Sequence, residues 1–271
     1  MNNLKDYYKD SLIRESRFQH LKNLAETWRQ DAKEYVEVLR TFRETIVAKK
    51  TLLDVGAGTG LFVETANASG LNSMGLEPNG FAVQYARQHN IPVVQGFLGE
   101  ATFDKTFDLV TMWCVLPHVD DPVATLRKAK QYLSKDGLLL LEVPDAESYP
   151  ARKRTFGWPQ TNLEHVFYFS RRSMSHMLSL VDMELVAVRG YSRYVEMGIK
   201  ECLRRITGIG MEYQNPRNGL QPKTPCTADT VVSNIHKSGV IKNTVRRYLR
   251  RIVTLLGRDD YIICAARQRR N

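Results

Sequence analysis

The stretch of this 271-residue chain best equipped for chemistry is a carboxylate set among glycines, Asp54-Val55-Gly56-Ala57-Gly58-Thr59-Gly60. Leu52, Leu53 and Val55 bracket Asp54, and the glycines alternate at 56, 58 and 60. An apolar run that ends in alternating glycines reads as a buried parallel strand turning sharply into a helix. Such a turn lets a ligand come within contact distance of main-chain N–H groups, and the helix starting near Gly60 adds the positive end of its dipole. A second carboxylate, Glu77, lies 21 residues beyond Gly56 and is followed by Pro78. At the end of a second strand it is placed to accept both hydroxyls of an adenosine ribose; otherwise it is a surface glutamate.

The glycine spacing separates two cofactor classes. The dinucleotide fingerprint is G-x-G-x-x-G or A after an apolar strand. Here the third glycine, Gly60, falls one position early, and Leu61 stands where Gly or Ala belongs. Asp54 also occupies a strand position that the dinucleotide pattern gives to an apolar residue.

The surrounding pattern must hold these groups in place. A helix over 61–69 and a strand over 73–76 follow the loop, then a helix over 81–90 and a third strand led in by Ile91–Gln95. Gly96, Phe97 and Leu98 come at that strand's end, where they either flank a flat ring or belong to the core. Thr106–Trp113 is the fourth strand, with Trp113 emerging at the carboxyl edge beside the glycine loop. Asp120 or Asp121 caps the next helix, Pro122 lies in its first turn, and Lys135-Asp136-Gly137 ends it. Leu138–Val143 is a continuous apolar strand, as expected for one buried on both faces. Strands and helices thus alternate five times before residue 145, which is the pattern of a doubly wound, mostly parallel α/β sheet.

The ends are different. Residues 4–48 contain neither Pro nor Gly, and Phe18, Leu21, Leu24, Trp28, Tyr35, Val38, Leu39 and Phe42 recur at helical steps. They form either a stripe packed on the main domain or a lid, with Tyr7 and Tyr8 as the residues to watch. The net charge is +10, and residues 195–271 hold 15 Lys/Arg against 6 Asp/Glu, so nearly all the excess lies in the last quarter. Within it, residues 240–256 read as an amphipathic helix with Arg246, Arg247, Arg250 and Arg251 clustered; it either packs conventionally or meets an anionic membrane or phosphorylated substrate. Four scattered cysteines without CxxC or a His–Cys cluster fit a reducing cytoplasm and give no expectation of a metal. Neither a membrane span nor a secretion leader is visible. The expected organisation is a helical cap over 1–48, a cofactor-binding core over 49–194, a basic insertion over 195–257, and a closing strand with a basic tail over 258–271.

Together, LLDVGAGTG (52–60), GLEP (75–78), FDLVTMW (107–113), LPHVDDP (116–122), KDGLLLLEVPD (135–145) and LEHVFYFSRRSMSHML (163–178) resemble class I S-adenosylmethionine-dependent methyltransferases, in the branch related to ubiquinone-type enzymes. The resemblance implies a Rossmann-like sheet of seven strands with the last antiparallel, closed by residues 183–189 and 261–266. It implies a cofactor site of Asp54, Gly56, Ala57, Gly58, Gly60, Glu77, Pro78, Gly96, Phe97, Leu98 and Trp113. Where the family more often reads W-D-V-L-E-H, this chain has Cys114 and Pro117 in place of the two carboxylates.

Methyl transfer from a sulfonium is an in-line displacement, so the protein must align nucleophile, methyl and sulfur, exclude water and, for a hydroxyl acceptor, take a proton. Of six histidines, His118 follows the fourth strand, and His165 lies in a loop after the fifth that would cover the pocket. His165 is the expected general base with His118 as alternate, and Glu164 either orients it or faces solvent. Trp158, Glu164 and Tyr168 are the expected acceptor contacts, although aromatic residues also pin loops to a core. The expected function is methylation of a small-molecule hydroxyl on a sugar, glycan, lipid-linked or quinone-like compound. A nucleic-acid methyltransferase and a non-catalytic partner protein are the alternatives; the former is disfavoured because no [DNS]-P-P-[YF] follows the fourth strand.

Overall fold

The computed structural model describes residues 32, 33, 35–37, 39, 50–148, 151, 152, 158, 160–162, 164–191 and 260–269. The chain divides into two compact units, one of Met1–Pro144, Pro159–Arg189 and Ile263–Asn271, the other of Asp145–Trp158 and Gly190–Ile262. The expected basic helix over 240–256, Tyr7, Tyr8 and most of the 4–48 stripe lie outside the described residues. No helix among the described residues is long and apolar enough to cross a membrane.

Seven strands form one sheet in the order β3-β2-β1-β4-β5-β7-β6. They are β1 (Thr51–Val55), β2 (Asn72–Glu77), β3 (Val93–Gln95), β4 (Phe107–Trp113), β5 (Leu133–Pro144), β6 (Met183–Tyr191) and β7 (Tyr261–Gln268). The pairs β1–β2, β1–β4, β2–β3 and β4–β5 are parallel, and the last strand is antiparallel, as the sequence implies. Chain order reverses beside β1, between β2 and β4, and that switch point is where ligands bind in open α/β sheets. The central strands are apolar on both faces: Leu52, Leu53, Leu109, Val110, Leu139, Leu140 and Leu141 are all fully buried.

Helices α1 (Leu61–Ala68), α2 (Gly80–Gln88), α3 (Pro122–Gln131) and α4 (Arg171–Ser179) join the strands. Asn79 caps α2 by accepting from the N–H groups of Phe81 and Ala82, and Asp121 caps α3 by accepting from Ala124. The residues 135–137 behave differently from the sequence reading. They lie inside β5, which starts at Leu133, because Phe107 already pairs with Leu133 and its N–H reaches the Tyr132 carbonyl. The register then jumps from Phe107↔Leu133 to Leu109↔Leu138, so Lys135-Asp136-Gly137 forms an irregularity in the strand instead of a helix end.

Near the N-terminus Ala32, Tyr35, Val36 and Leu39 are buried on helical backbone. Tyr35 stacks on Trp113 with ring centroids 4.0 Å apart and planes at 10°, and Phe62 of α1 meets Trp113 edge-on at 5.1 Å. This aromatic trio explains why Trp113 is only 9% exposed.

Candidate active site

The glycine loop joins β1 to α1 with Gly56, Gly58 and Gly60 all at positive φ. Two of the three also leave no room for a side chain. A Cβ at Gly56 would stand 2.6 Å from Val115 Cγ2, and one at Gly60 would stand 2.7 Å from Ile91 Cγ2. At Gly58 nothing lies within 4 Å of a Cβ position, so this residue faces open space. Ala57 packs inward on Val63, Val83, Ala86, Ile91 and Val93, and fits because its β2 neighbour is Gly75.

Two carboxylates sit under the loop. Glu77, at the end of β2 and 8% exposed, accepts from Gly58 N–H through Oε2 at 2.8 Å and from Asn79 N–H through Oε1 at 2.9 Å. Its own carbonyl accepts from Gly96 N–H at 3.1 Å, which ties the β3 exit to the same point. Leu98 beyond it is buried and Phe97 half-buried, and Pro78 is half-buried. Asp54 is 2% exposed in β1, where Thr111 Oγ1 of β4 donates to its Oδ1 at 2.7 Å. Burial pushes the Asp54 carboxyl up to about 8; the Thr111 hydrogen bond pulls the other way and the charge of Glu77 adds to the rise. Thr111 carries no signal in the sequence, since only the β1–β4 register brings it opposite Asp54.

β4 runs out into Cys114, whose φ of 58° is left-handed in a residue that is not glycine. Its N–H donates to the Glu142 carbonyl of β5 at 3.0 Å. A short 3-10 turn, Leu116–His118, follows. The 160–170 loop docks on that turn: Val166 N–H donates to the Pro117 carbonyl at 2.8 Å, and His118 Nδ1 lies 2.8 Å from the Glu164 carbonyl. A carbonyl only accepts, so Nδ1 of His118 carries the proton and Nε2 the lone pair. Asn162 in turn holds the main chain of His165, accepting from its N–H through Oδ1 at 3.1 Å.

These contacts bring His118 and His165 edge to face at 4.7 Å and put His165 Nε2 4.0 Å from Cys114 Sγ. Cys114, His118 and His165 each offer a ligand atom, all within 4.8 Å of one another. The linear sequence shows no His–Cys cluster; folding makes one, because 51 residues separate Cys114 from His165. Only the spacing of Cys114 and His118, four residues apart just past a strand end, is a signal of it in the sequence.

Other expected site residues are dispersed. Tyr168 is 41% exposed, with its hydroxyl 3.4 Å from the Gln160 carbonyl and its ring 6.4 Å from that of His165. Glu164 meets His118 through its main-chain carbonyl, and it is His118 that this contact orients. Trp158 is buried and belongs to the second unit. His89 ends α2 and His176 lies in the last turn of α4.

A family model described as a methyltransferase domain matches residues 27–188. The ubiquinone biosynthesis O-methyltransferase of Glaesserella parasuis is 27% identical over 150 residues, covering 48% of this chain and 64% of that protein. The protein of the same description from Hydrogenovibrio crunogenus is 25% identical over 140 residues, covering 45% of this chain and 57% of its own. The match therefore spans less than two thirds of the length of either relative. Among solved structures, a possible histamine N-methyltransferase from Thermotoga maritima has the same fold, with a TM-score of 0.55 at 18% identity over 93% of this chain and 98% of its own. So does the plantazolicin methyltransferase BpumL in complex with SAH, with a TM-score of 0.56 at 13% identity over 99% and 95% of the two chains.

Proposed function

We propose that this chain, which belongs to the methyltransferase-domain family, transfers a methyl group from S-adenosylmethionine to a hydroxyl of a small molecule. The observation that carries the reading is the pair of sites on either side of Val115. Val115 Cγ2 closes on Gly56 of the glycine loop, and its chain neighbours lead to Cys114 and His118, so the loop and the His118–His165 pair share one sheet edge.

The donor set beneath the loop suits this cofactor. A carboxylate has about four lone-pair positions. Glu77, aimed at the loop by the N–H groups of Gly58 and Asn79, is placed to accept the hydroxyls of a ribose. Open space at Gly58 lets the ligand reach the main chain. Asp54 and Thr111 would hold the loop under the methionine end, and Phe97 and Leu98 would flank the adenine. Trp113, pinned by Tyr35 and Phe62 at the end of β4, would lie beside the cofactor. Bound there, the cofactor supplies an electrophilic methyl group on a positively charged sulfur.

His165 takes the acceptor proton at Nε2, and His118, with its tautomer set by the Glu164 carbonyl, holds the His165 ring in place. Tyr168 is a proposed acceptor contact. An oxygen acceptor is supported by the description of the relatives as ubiquinone biosynthesis O-methyltransferases; glycan, lipid-linked and quinone-like compounds are the proposed classes. The cytoplasm is the proposed place of the reaction. Incubating the full chain with methyl-labelled S-adenosylmethionine and a panel of phenols, sugars and lipid-linked glycans tests the reading. Label is expected in an ether of at least one acceptor class, and transfer only to nitrogen or carbon acceptors would contradict it.

A further inference from the structure

We propose that Cys114, His118 and His165 form a binding site for one divalent cation of the zinc class. Three features of the cluster suit a metal, of which distance is the first. A tetrahedral zinc with bonds of about 2.3 Å to sulfur and about 2.0 Å to nitrogen separates its sulfur and nitrogen ligands by roughly 3.5 Å. Cys114 Sγ and His165 Nε2 stand 4.0 Å apart, about half an ångström too wide, and all three ligand atoms lie within 4.8 Å, so closing the whole set takes a contraction of at most about 1.5 Å, within reach of side-chain rotation.

The second is orientation. Imidazoles that bind metals nearly always donate their other nitrogen to a carbonyl or carboxylate. His118 does this through Nδ1 to the Glu164 carbonyl at 2.8 Å, which assigns Nε2 as its ligand atom, and its ring stands edge to face with that of His165. The third is rigidity. Cys114 is held in a left-handed conformation and by the Glu142 carbonyl, and the loop with His165 is pinned by Pro117 and Asn162. The chemistry of the set selects the ion: one thiol and two imidazoles favour zinc, cobalt or copper over magnesium or calcium. Binding displaces the thiol proton to solvent, forms one metal–sulfur and two metal–nitrogen bonds, and changes no oxidation state. Three protein ligands leave the fourth position to water, the pattern of an open site.

A cation and a proton compete for the same lone pair on His165. Occupancy of the site and proton removal by His165 are thus alternatives, and the cation is inhibitory to the reaction proposed above. The site itself rests on geometry alone, and its test reads metal binding, so its failure leaves the methyltransferase reading standing.

The full chain, stripped with a chelator, is titrated with Co2+ and followed by absorption, then challenged with Zn2+. One equivalent is expected to bind with a thiolate-to-cobalt charge-transfer band that Zn2+ removes. Cys114→Ser should abolish the band although Cys202, Cys226 and Cys264 remain, and His165→Gln should weaken binding by at least about tenfold. X-ray absorption of the zinc-loaded wild-type protein needs no variant, and should show one sulfur and two imidazole nitrogens around the metal. A band that survives Cys114→Ser, a shell without sulfur, or no stoichiometric uptake at micromolar metal would overturn the proposal.

Discussion

Glu77 Oε2 accepts the main-chain N–H of Gly58 at 2.8 Å, so the acidic residue that ends β2 is bonded to the middle glycine of the loop that ends β1. The bond couples the two halves of the cofactor site before any ligand arrives, and Gly58 is the one loop glycine facing open space. Shape and charge are preset by the same contact.

The loop glycines should therefore divide into two kinds. Gly60→Ala pushes a methyl group against Ile91 and Val93 at a φ of 82°, and should lower the melting temperature by several degrees. Gly58→Ala meets nothing, costs about 1–2 kcal/mol for the left-handed backbone, and puts a methyl group where a ligand would lie. Calorimetric titration should show Gly58→Ala losing more S-adenosylmethionine affinity per degree of melting temperature lost than Gly60→Ala.

Asp54 gives a pH dependence with a definite sign. Its folded-state carboxyl sits at about 8 against 3.8 for the ordinary group, because burial disfavours the charge. The folded state thus binds a proton that the unfolded state has released across that window. Stability contributed by the protonated group is fully present below about pH 4 and is lost as pH rises through about 8. Asp54→Asn should flatten this slope. Urea unfolding of both proteins at about pH 5 and about pH 9 checks it, and equal slopes would show that Asp54 titrates normally.

His165→Ala should reduce kcat by about 10²- to 10⁴-fold with the S-adenosylmethionine Kd within about threefold of wild type. Phenols acidic enough to ionise in solution should lose much less, since they arrive without a proton to remove. A uniform loss across acceptors of different acidity would assign His165 a packing role.

Much of this was legible in the residues. Alternating apolar strands and helices, the cap at Asp120 or Asp121, and the glycine spacing are local patterns, and they put the β1 loop and Glu77 at strand ends on one sheet edge. Two kinds of feature were not. The long β5 depends on Phe107 pairing with Leu133 across a register shift, a contact between strands that no local propensity records. Thr111 under Asp54 and the Cys114–His118–His165 cluster arise from partners 46 to 57 residues apart. Their residue types were visible, but only the pairing of β1 with β4 and the docking of Val166 on Pro117 brings them together.

Titration of the purified full chain with S-adenosylmethionine by calorimetry, wild type beside Glu77→Ala, tests the central claim most directly. The account predicts micromolar binding by the wild type, a loss of at least about tenfold in the variant with its fold retained, and no heat from NADH. No binding of S-adenosylmethionine to the wild type, or equal binding by Glu77→Ala, would contradict it.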